Sequence, residues 1–309
     1  MTLDPEILAL FAAAPPRPAM ALDRGPGAAA AAAGLRMGNR PQGPLAFPGV
    51  TVSDVQVDGG GHAIPVRLYQ PHGTGPFPTM LNFHGGGWVI GNLAMDDRRC
   101  ARMAAEAGVL VASVDYRLAP EHPYPAAIED GLAVLRWAGS GAGAFDADPQ
   151  RLAISGSSSG GNIAAALALI CRDRGGPALK FQLLNYPVTD SRLDFPSYGE
   201  FGQGPGVTAA MMAWFWDVYA GDNDRSDGRL SPLRATDVSG LPPTVITTAA
   251  CDVLRDEAEA YGERLRQAGV PVILARYEGV PHGFLTLAIE VPQARAAVNL
   301  AIEHLKKTL

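Results

Sequence analysis

Residues Arg151–Ile170 restrict the fold of this chain more than any other stretch. A short apolar run, Leu152-Ala153-Ile154, leads through Ser155 into Gly156-Ser157-Ser158-Ser159-Gly160-Gly161-Asn162, and an alanine-rich helical sequence, Ile163 to Ile170, follows at once. This pattern predicts a strand, a sharp turn and a helix, with a hydroxyl at the apex. The demand at such a turn is steric. The apical residue sits in strained backbone, so the positions two before and two after it must lack bulk where strand and helix converge. Three serines compete for the apex. Only Ser158 has glycine at both places, Gly156 and Gly160; Ser157 and Ser159 do not fit the G-x-S-x-G frame on both sides. Read alone, the pentapeptide also suits a Gly/Ser loop that caps a helix or holds an anion, so the rest of the chain has to decide.

From residue 49 onward, strand-like and helical sequences alternate. Thr51–Val57 and Ile64–Tyr69 flank a turn at Gly59-Gly60-Gly61 and read as a hairpin. Further strands are expected at Thr79–Phe83, Val109–Val114, Phe181–Tyr186, Thr244–Thr248 and Val272–Tyr277. Helices are expected at Ala126–Trp137, Gly161–Arg172, Glu257–Ala268 and Gln293–Lys307. Such alternation implies an α/β fold built on a mainly parallel twisted sheet with helices on both faces. Two stretches break the rhythm. Residues 1–48 hold a short amphipathic helix from Pro5 to Ala14, prolines at 15, 16 and 18, an alanine run from Ala28 to Ala33, and a Gly/Pro-rich exit through Gly43, Pro44 and Pro48. So little side-chain bulk buries little area alone, so this segment is expected to lean on the main body as part of a helical lid. Residues from about 190 to 240, rich in Met and aromatics at Met211–Trp216, are expected to supply the other part. Residues 49–309 are then the catalytic body.

Bulk composition excludes several functions. Hydrophobic residues at 47% and charged residues at 18% describe a packed globule. A net charge of −6 argues against a nucleic-acid partner, and no apolar run reaches the roughly 20 residues that a membrane span needs. The acidic start lacks the basic region of a secretion signal. Cys100, Cys171 and Cys251 are odd in number and far apart, which suits reduced thiols in a cytoplasmic protein and offers no zinc site.

In parallel sheets, sites form beyond the carboxyl ends of strands, and a serine hydroxyl needs a base within hydrogen-bond reach. Of six histidines, His62 and His72 lie in early turns, His122 is wedged between prolines and His304 sits on the last helix. His84 stands before Gly85-Gly86-Gly87 and is a minor candidate. His282, in Val280-Pro281-His282-Gly283-Phe284 after a late strand, is the expected base. Asp252 follows the Thr244–Thr248 strand and is the expected carboxylate that orients it. Asp256 and Glu257 open the next helix, where acidic side chains ordinarily serve the dipole. A developing oxyanion needs preorganised donors, which the Ser159 amide and the Gly85–Gly87 triplet can supply. Trp88, Phe201, Met211, Trp214, Phe215 and Phe284 are the candidates for an apolar substrate pocket.

Together, His84-Gly85-Gly86-Gly87-Trp88, Asp115–Pro123, the serine turn, Asp252-Val253-Leu254-Arg255-Asp256-Glu257 and Pro281-His282-Gly283-Phe284 resemble the bacterial hormone-sensitive lipase-like carboxylesterases of the α/β-hydrolase superfamily. The resemblance runs from about Val50 to the C-terminus. It implies a serine carboxylesterase that acts on short- to medium-chain esters through an acyl-enzyme, with no metal or cofactor. Ser158, Asp252 and His282 would be its triad, and Gly86, Gly87 and Ser159 its oxyanion donors, with Gly85 close by. Amide or lactone hydrolysis, or acyl transfer, would use the same triad, and a non-catalytic binding relative would ordinarily lack one member of it. Many relatives form homodimers, which the terminal strand and helix could support here. One departure stands out: the usual turn is G-D-S-A-G, and Ser157 and Ser159 replace its aspartate and alanine. The first replacement removes a fixed negative charge beside the nucleophile.

Overall fold

In the computed structural model of this chain, residues 2–13, 27–36, 46–141, 146–287 and 289–309 are described. Two N-terminal helices, α1 (Pro5–Ala13) and α2 (Ala28–Arg36), precede strands β1 (Val50–Asp58), β2 (Ala63–Pro71) and β3 (Phe77–Phe83). Helix α3 (Asp97–Ala107), strand β4 (Leu110–Val114), helix α4 (Ala126–Gly139), strand β5 (Ala147–Ser157), helix α5 (Ser159–Arg174) and strand β6 (Leu179–Asn185) follow. Helices α6 (Pro196–Phe201) and α7 (Ala209–Ala220) interrupt the alternation, which resumes with β7 (Thr244–Cys251), α8 (Arg255–Gln267), β8 (Val272–Pro281) and α9 (Pro292–Thr308). The prolines at 15, 16 and 18 and the turn residues Gly43 and Pro44 lie outside the described residues.

The strands form one sheet in the order β1-β2-β4-β3-β5-β6-β7-β8. β1 and β2 are an antiparallel hairpin, β2 is antiparallel to β4, and every later pairing is parallel. Period-two alternation divides the core into two layers. Met80 of β3, Val111 of β4 and Leu183 of β6 pack with Cys100 and Met103 of α3 and Ile302 and Leu305 of α9. Their neighbours Leu81, Ala112 and Leu184 face the opposite layer with α4, α5 and α8. Helix α5 is buried continuously from Ser159 to Cys171, as a helix apolar on all sides must be. Among the described residues, no helix is long and apolar enough to cross a membrane.

Three elements differ from expectation. α3 was not foreseen: its first turn reads Asp97-Arg98-Arg99, and that charge hides the buried Cys100, Ala101, Met103 and Ala104 behind it. β7 and β8 run further than predicted, to Cys251 and Pro281, and Cys251 pairs with Pro281 across a register shift. The added residues Ala249, Ala250 and Cys251 have no strong strand preference. They are strand because both faces of β7 are covered, and all of its residues are buried. Asp252 and His282 therefore stand directly on the ends of adjacent strands rather than in flexible loops.

The N-terminal helices are tied to the body from two sides. The Asp4 amide donates to the Gly279 carbonyl at 2.8 Å, and Gln293 Nε2 donates to Asp4 Oδ2 at 2.6 Å. Ile7 of α1 is fully buried beside Tyr186, Val280 and Phe284. At the end of α2, Arg36 donates to the carbonyls of Val89 and Ala119, both at 2.7 Å, and pairs with Glu121.

Candidate active site

β5 ends at Ser157 and α5 begins at Ser159, so the whole strand-to-helix turn is Ser158. Its backbone stands at φ 57° and ψ −119°, a region that side-chain-bearing residues rarely occupy. The flanking glycines are sterically required. A Cβ on Gly156 would fall 2.1 Å from the Gly160 carbonyl oxygen, and one on Gly160 would fall 2.1 Å from that of Phe83. The turn is also held by hydrogen bonds: the Ser158 amide donates to the Asn185 carbonyl at 2.9 Å, and the Val188 amide donates to that of Ser158 at 3.2 Å.

His282 meets this hydroxyl. Its Nε2 lies 2.9 Å from Ser158 Oγ, and its Nδ1 lies 2.7 Å from Asp252 Oδ2. Asp252 is acceptor-only and buried, so it fixes the proton on Nδ1 and leaves Nε2 as the acceptor for the serine. The other Asp252 oxygen accepts from the Leu254 amide at 2.9 Å, which holds the carboxylate in place. An edge-on contact with Tyr186, 4.9 Å between ring centroids, fixes the plane of the imidazole. Two other histidines are engaged elsewhere: His62 bonds Asp130, and His84 is buried, with Nδ1 against the Gly85 carbonyl and its ring stacked on Tyr116.

The glycine triplet follows β3, the neighbour of β5. Gly86 (φ 121°) and Gly87 (φ 61°) adopt backbone that favours glycine. A Cβ on Gly86 would strike the Ile90 carbonyl oxygen at 2.0 Å, and one on Gly87 would strike the Phe215 ring at 2.4 Å. Gly85 has no such φ; it is the close spacer under the nucleophile, where a Cβ would lie 3.1 Å from the Ser157 carbonyl. Ser159 occupies the first turn of α5, where amides have no acceptor within the helix and carry the positive end of its dipole.

Gly85, Gly86, Gly87, Ser158 and His282 border a cavity of about 360 Å³. Of the six predicted pocket residues, Met211 and Phe215 line it. The other four pack elsewhere, which corrects the expectation. Trp88 is buried between Tyr219, stacked at 4.1 Å, and Trp216, and so clamps α7 to the glycine turn. Trp214 is fully buried against Phe215. Phe284 lies with Tyr186 and Tyr277, and Phe201 carries the Arg255 guanidinium on its face. Sequence reasoning missed Phe11, Leu35, Ile90, Met95, Val207, Met212 and Leu287, which complete the apolar wall. Leu35 carried a signal: it is a bulky apolar residue in an otherwise alanine-rich helix.

Ser157 is not left without a charged neighbour. Arg99 of α3 donates to Ser157 Oγ at 2.7 Å and pairs with Asp96 Oδ2 at 2.7 Å, while Asn82 Nδ2 donates to the same Asp96 oxygen at 3.0 Å. Burial works against the charge of Arg99, but its surroundings, Asp96 foremost, outweigh that and hold the guanidinium protonated. The fixed negative charge absent at position 157 thus stands at Asp96, one residue before α3.

Glu257 departs from its expected role as a surface partner of the helix dipole. It is fully buried, accepting from the Thr189 amide at 2.7 Å, the Asp190 amide at 3.3 Å and the Tyr198 hydroxyl at 3.0 Å. It thereby joins the segment after β6, and α6, to the helix that follows Asp252. Burial pushes its carboxyl up to about 8 despite those donors. Because the folded state keeps a proton that the unfolded chain loses, the contribution is complete below the ordinary carboxyl range. It is lost as pH rises through about 8. Thermal unfolding from pH 6 to 9 is therefore expected to show a fall in Tm of about 5 °C that Glu257→Gln largely abolishes. A variant that keeps the parent's slope would contradict this assignment.

A family model described as the α/β-hydrolase fold matches residues 80–286. The chain is 43% identical over 255 residues to the carboxylesterase NlhH of Mycobacterium tuberculosis, covering 80% of this chain and 79% of that protein. It is 40% identical over 313 residues to the esterase LipI of the same species, covering 99% and 95%. Among solved structures, a thermostable esterase from Pseudomonas putida superposes with a TM-score of 0.89 at 35% identity, over 100% of this chain and 98% of that one. The match spans the sheet, the serine turn and the strand ends that carry the aspartate and histidine. This chain belongs to the hormone-sensitive lipase-like branch of the α/β-hydrolase family.

Proposed function

We propose that this chain hydrolyses carboxylic esters with short to medium, mainly apolar limbs, through an acyl-enzyme formed on Ser158. One observation carries the reading: an unbroken hydrogen-bonded line from Ser158 through His282 to Asp252, at the floor of an apolar cavity. The esterase relatives support the reaction class.

Ser158 Oγ attacks the ester carbonyl as its proton passes to His282 Nε2, and Asp252 stabilises the imidazolium through Nδ1–H. The carbonyl oxygen becomes an anion facing the amides of Gly86, Gly87 and Ser159, where each donor contributes about 10²–10³ in turnover. His282 then protonates the departing alcohol. Water then attacks the acyl carbon as its proton passes to His282, and the bond to Ser158 Oγ breaks as His282 returns that proton to Oγ and the acid leaves. α1, α2 and the segment with α6 and α7 act as a cap over this site; Phe11, Leu35, Met211 and Phe215 on the cavity wall support that role. Three buried, unpaired cysteines suit work in the cytoplasm. β8 ends the sheet and exposes Ile273, which favours a homodimer through that edge.

Treatment with a fluorophosphonate is expected to form a bond from Ser158 Oγ to phosphorus with loss of fluoride. Fragmentation of the tryptic peptide that begins at Leu152 should locate the adduct on Ser158. Labelling on Ser157 or Ser159, or none, would overturn the assignment.

A further inference from the structure

Among the described residues, the wall of the cavity beyond Ser158 and His282 is mostly apolar and carries one carboxylate. Ile90, Met95, Val207, Met211, Phe215 and Leu287 offer it no hydrogen bond, and the Thr286 hydroxyl donates to the Gly283 carbonyl at 3.0 Å. Asp96 also borders this space, beside Ser157 and Ser158. It is 2% exposed, so its carboxylate is well removed from bulk water.

The two oxygens of Asp96 differ. Oδ2 is taken by Asn82 Nδ2 and the Arg99 guanidinium. Among the described residues, no donor meets Oδ1, which leaves it the oxygen available to a group in the cavity that Asp96 borders. Arg99 holds Ser157 with its other nitrogen and is not among the described residues that border this space. The cavity therefore meets the carboxylate and not the cation that balances it. A carboxylate oxygen so placed strongly prefers a donor, and an apolar group pushed against it removes its water and returns nothing.

We propose that Asp96 Oδ1 is a specificity-determining subsite that takes a hydroxyl or ammonium group carried on one limb of the ester. The inference rests on the esterase reading of the cavity and deepens it to a substrate class: esters of hydroxylated or aminated acids or alcohols. Esters with a plain apolar limb of the same shape are poorer substrates, and esters with a carboxylate on that limb are rejected. Arg99 acts as a positioning residue, aiming Asp96 and holding the turn through Ser157.

Isosteric ester pairs test this. On the acyl side, p-nitrophenyl 3-hydroxybutanoate is compared with p-nitrophenyl 3-methylbutanoate; on the alcohol side, 2-hydroxypropyl butyrate is compared with isobutyl butyrate. The readout is the ratio of kcat/KM for the hydroxyl ester over its methyl counterpart, so a general loss of turnover cancels. For one of the two pairs, Asp96→Leu combined with Arg99→Met is expected to lower the parent's ratio about 10- to 100-fold, the range for a lost hydrogen bond to a charged group. Removing both partners avoids a stranded buried charge. Asp96→Asn, which keeps the shape and a neutral acceptor, is expected to lower the same ratio by a smaller factor and decides the matter if the double variant does not fold. Ratios unchanged in both pairs would overturn the proposal. Absence of turnover of all four esters by the parent protein would instead overturn the esterase reading on which it rests.

Discussion

Ser158→Ala is expected to lower kcat/KM on p-nitrophenyl butyrate by about 10⁴–10⁶, with KM little changed. The variant keeps the cavity and the backbone donors, because alanine differs from serine only by the oxygen that forms the covalent bond. What remains should reflect binding and oxyanion stabilisation alone, which typically leave about 10³–10⁴ over the uncatalysed reaction. Stability is expected to hold. Position 158 is strained at φ 57° in either protein, and among the described residues the lost hydroxyl partners only His282. A steady-state assay beside a thermal melt separates the outcomes. Activity within tenfold of the parent, in a protein that melts normally, would mean that another nucleophile does the work.

Asp252→Asn is expected to cost about 10⁴ in kcat near neutral pH. Asparagine fits the site: its carbonyl can accept from the Leu254 amide as Asp252 Oδ1 does at 2.9 Å. Its amide must then face His282 Nδ1, and an amide nitrogen only donates. The imidazole proton is driven to Nε2, where it opposes the Ser158 hydroxyl, so the base arrives in the wrong tautomer. The stabilising charge for the imidazolium is lost as well. The same reasoning predicts that Asp252→Asn recovers part of its activity at high pH, where the serine needs less help with its proton. Far-UV circular dichroism should be unchanged. A loss smaller than tenfold would show that Asp252 does not orient the histidine, however well placed it is.

Local chemistry made much of the active site legible before any tertiary structure was considered. The G-x-S-x-G frame singles out Ser158 because strand, turn and helix must converge within a few ångströms, and only glycine leaves room at 156 and 160. The alternation of β-branched runs with helical stretches implies a parallel sheet, which puts chemistry at strand ends and so selects Asp252 and His282. The lengths of β7 and β8 were beyond such reasoning. Ala249, Ala250 and Cys251 are strand through burial on both faces, not through preference. The wall of the cavity beside Ser158 was legible only in part. Aromatic character marks Trp88, Trp214, Phe201 and Phe284 as candidates, but large rings are used as readily to clamp α7 and to fill the core as to meet a substrate.

The sequence by itself singled out Ser158, His282, Asp252 and the glycine triplet as candidates, because each is constrained by neighbours a few residues away. The tertiary structure alone decided which apolar side chains face the cavity, that Glu257 is buried, and that Asp96 and Arg99 stand beside Ser157. The physical reason is distance along the chain. A turn is shaped by its own residues, whereas a cavity wall is assembled from α1, α2, α7 and the loops after β3 and β8, whose meeting depends on how the whole core packs.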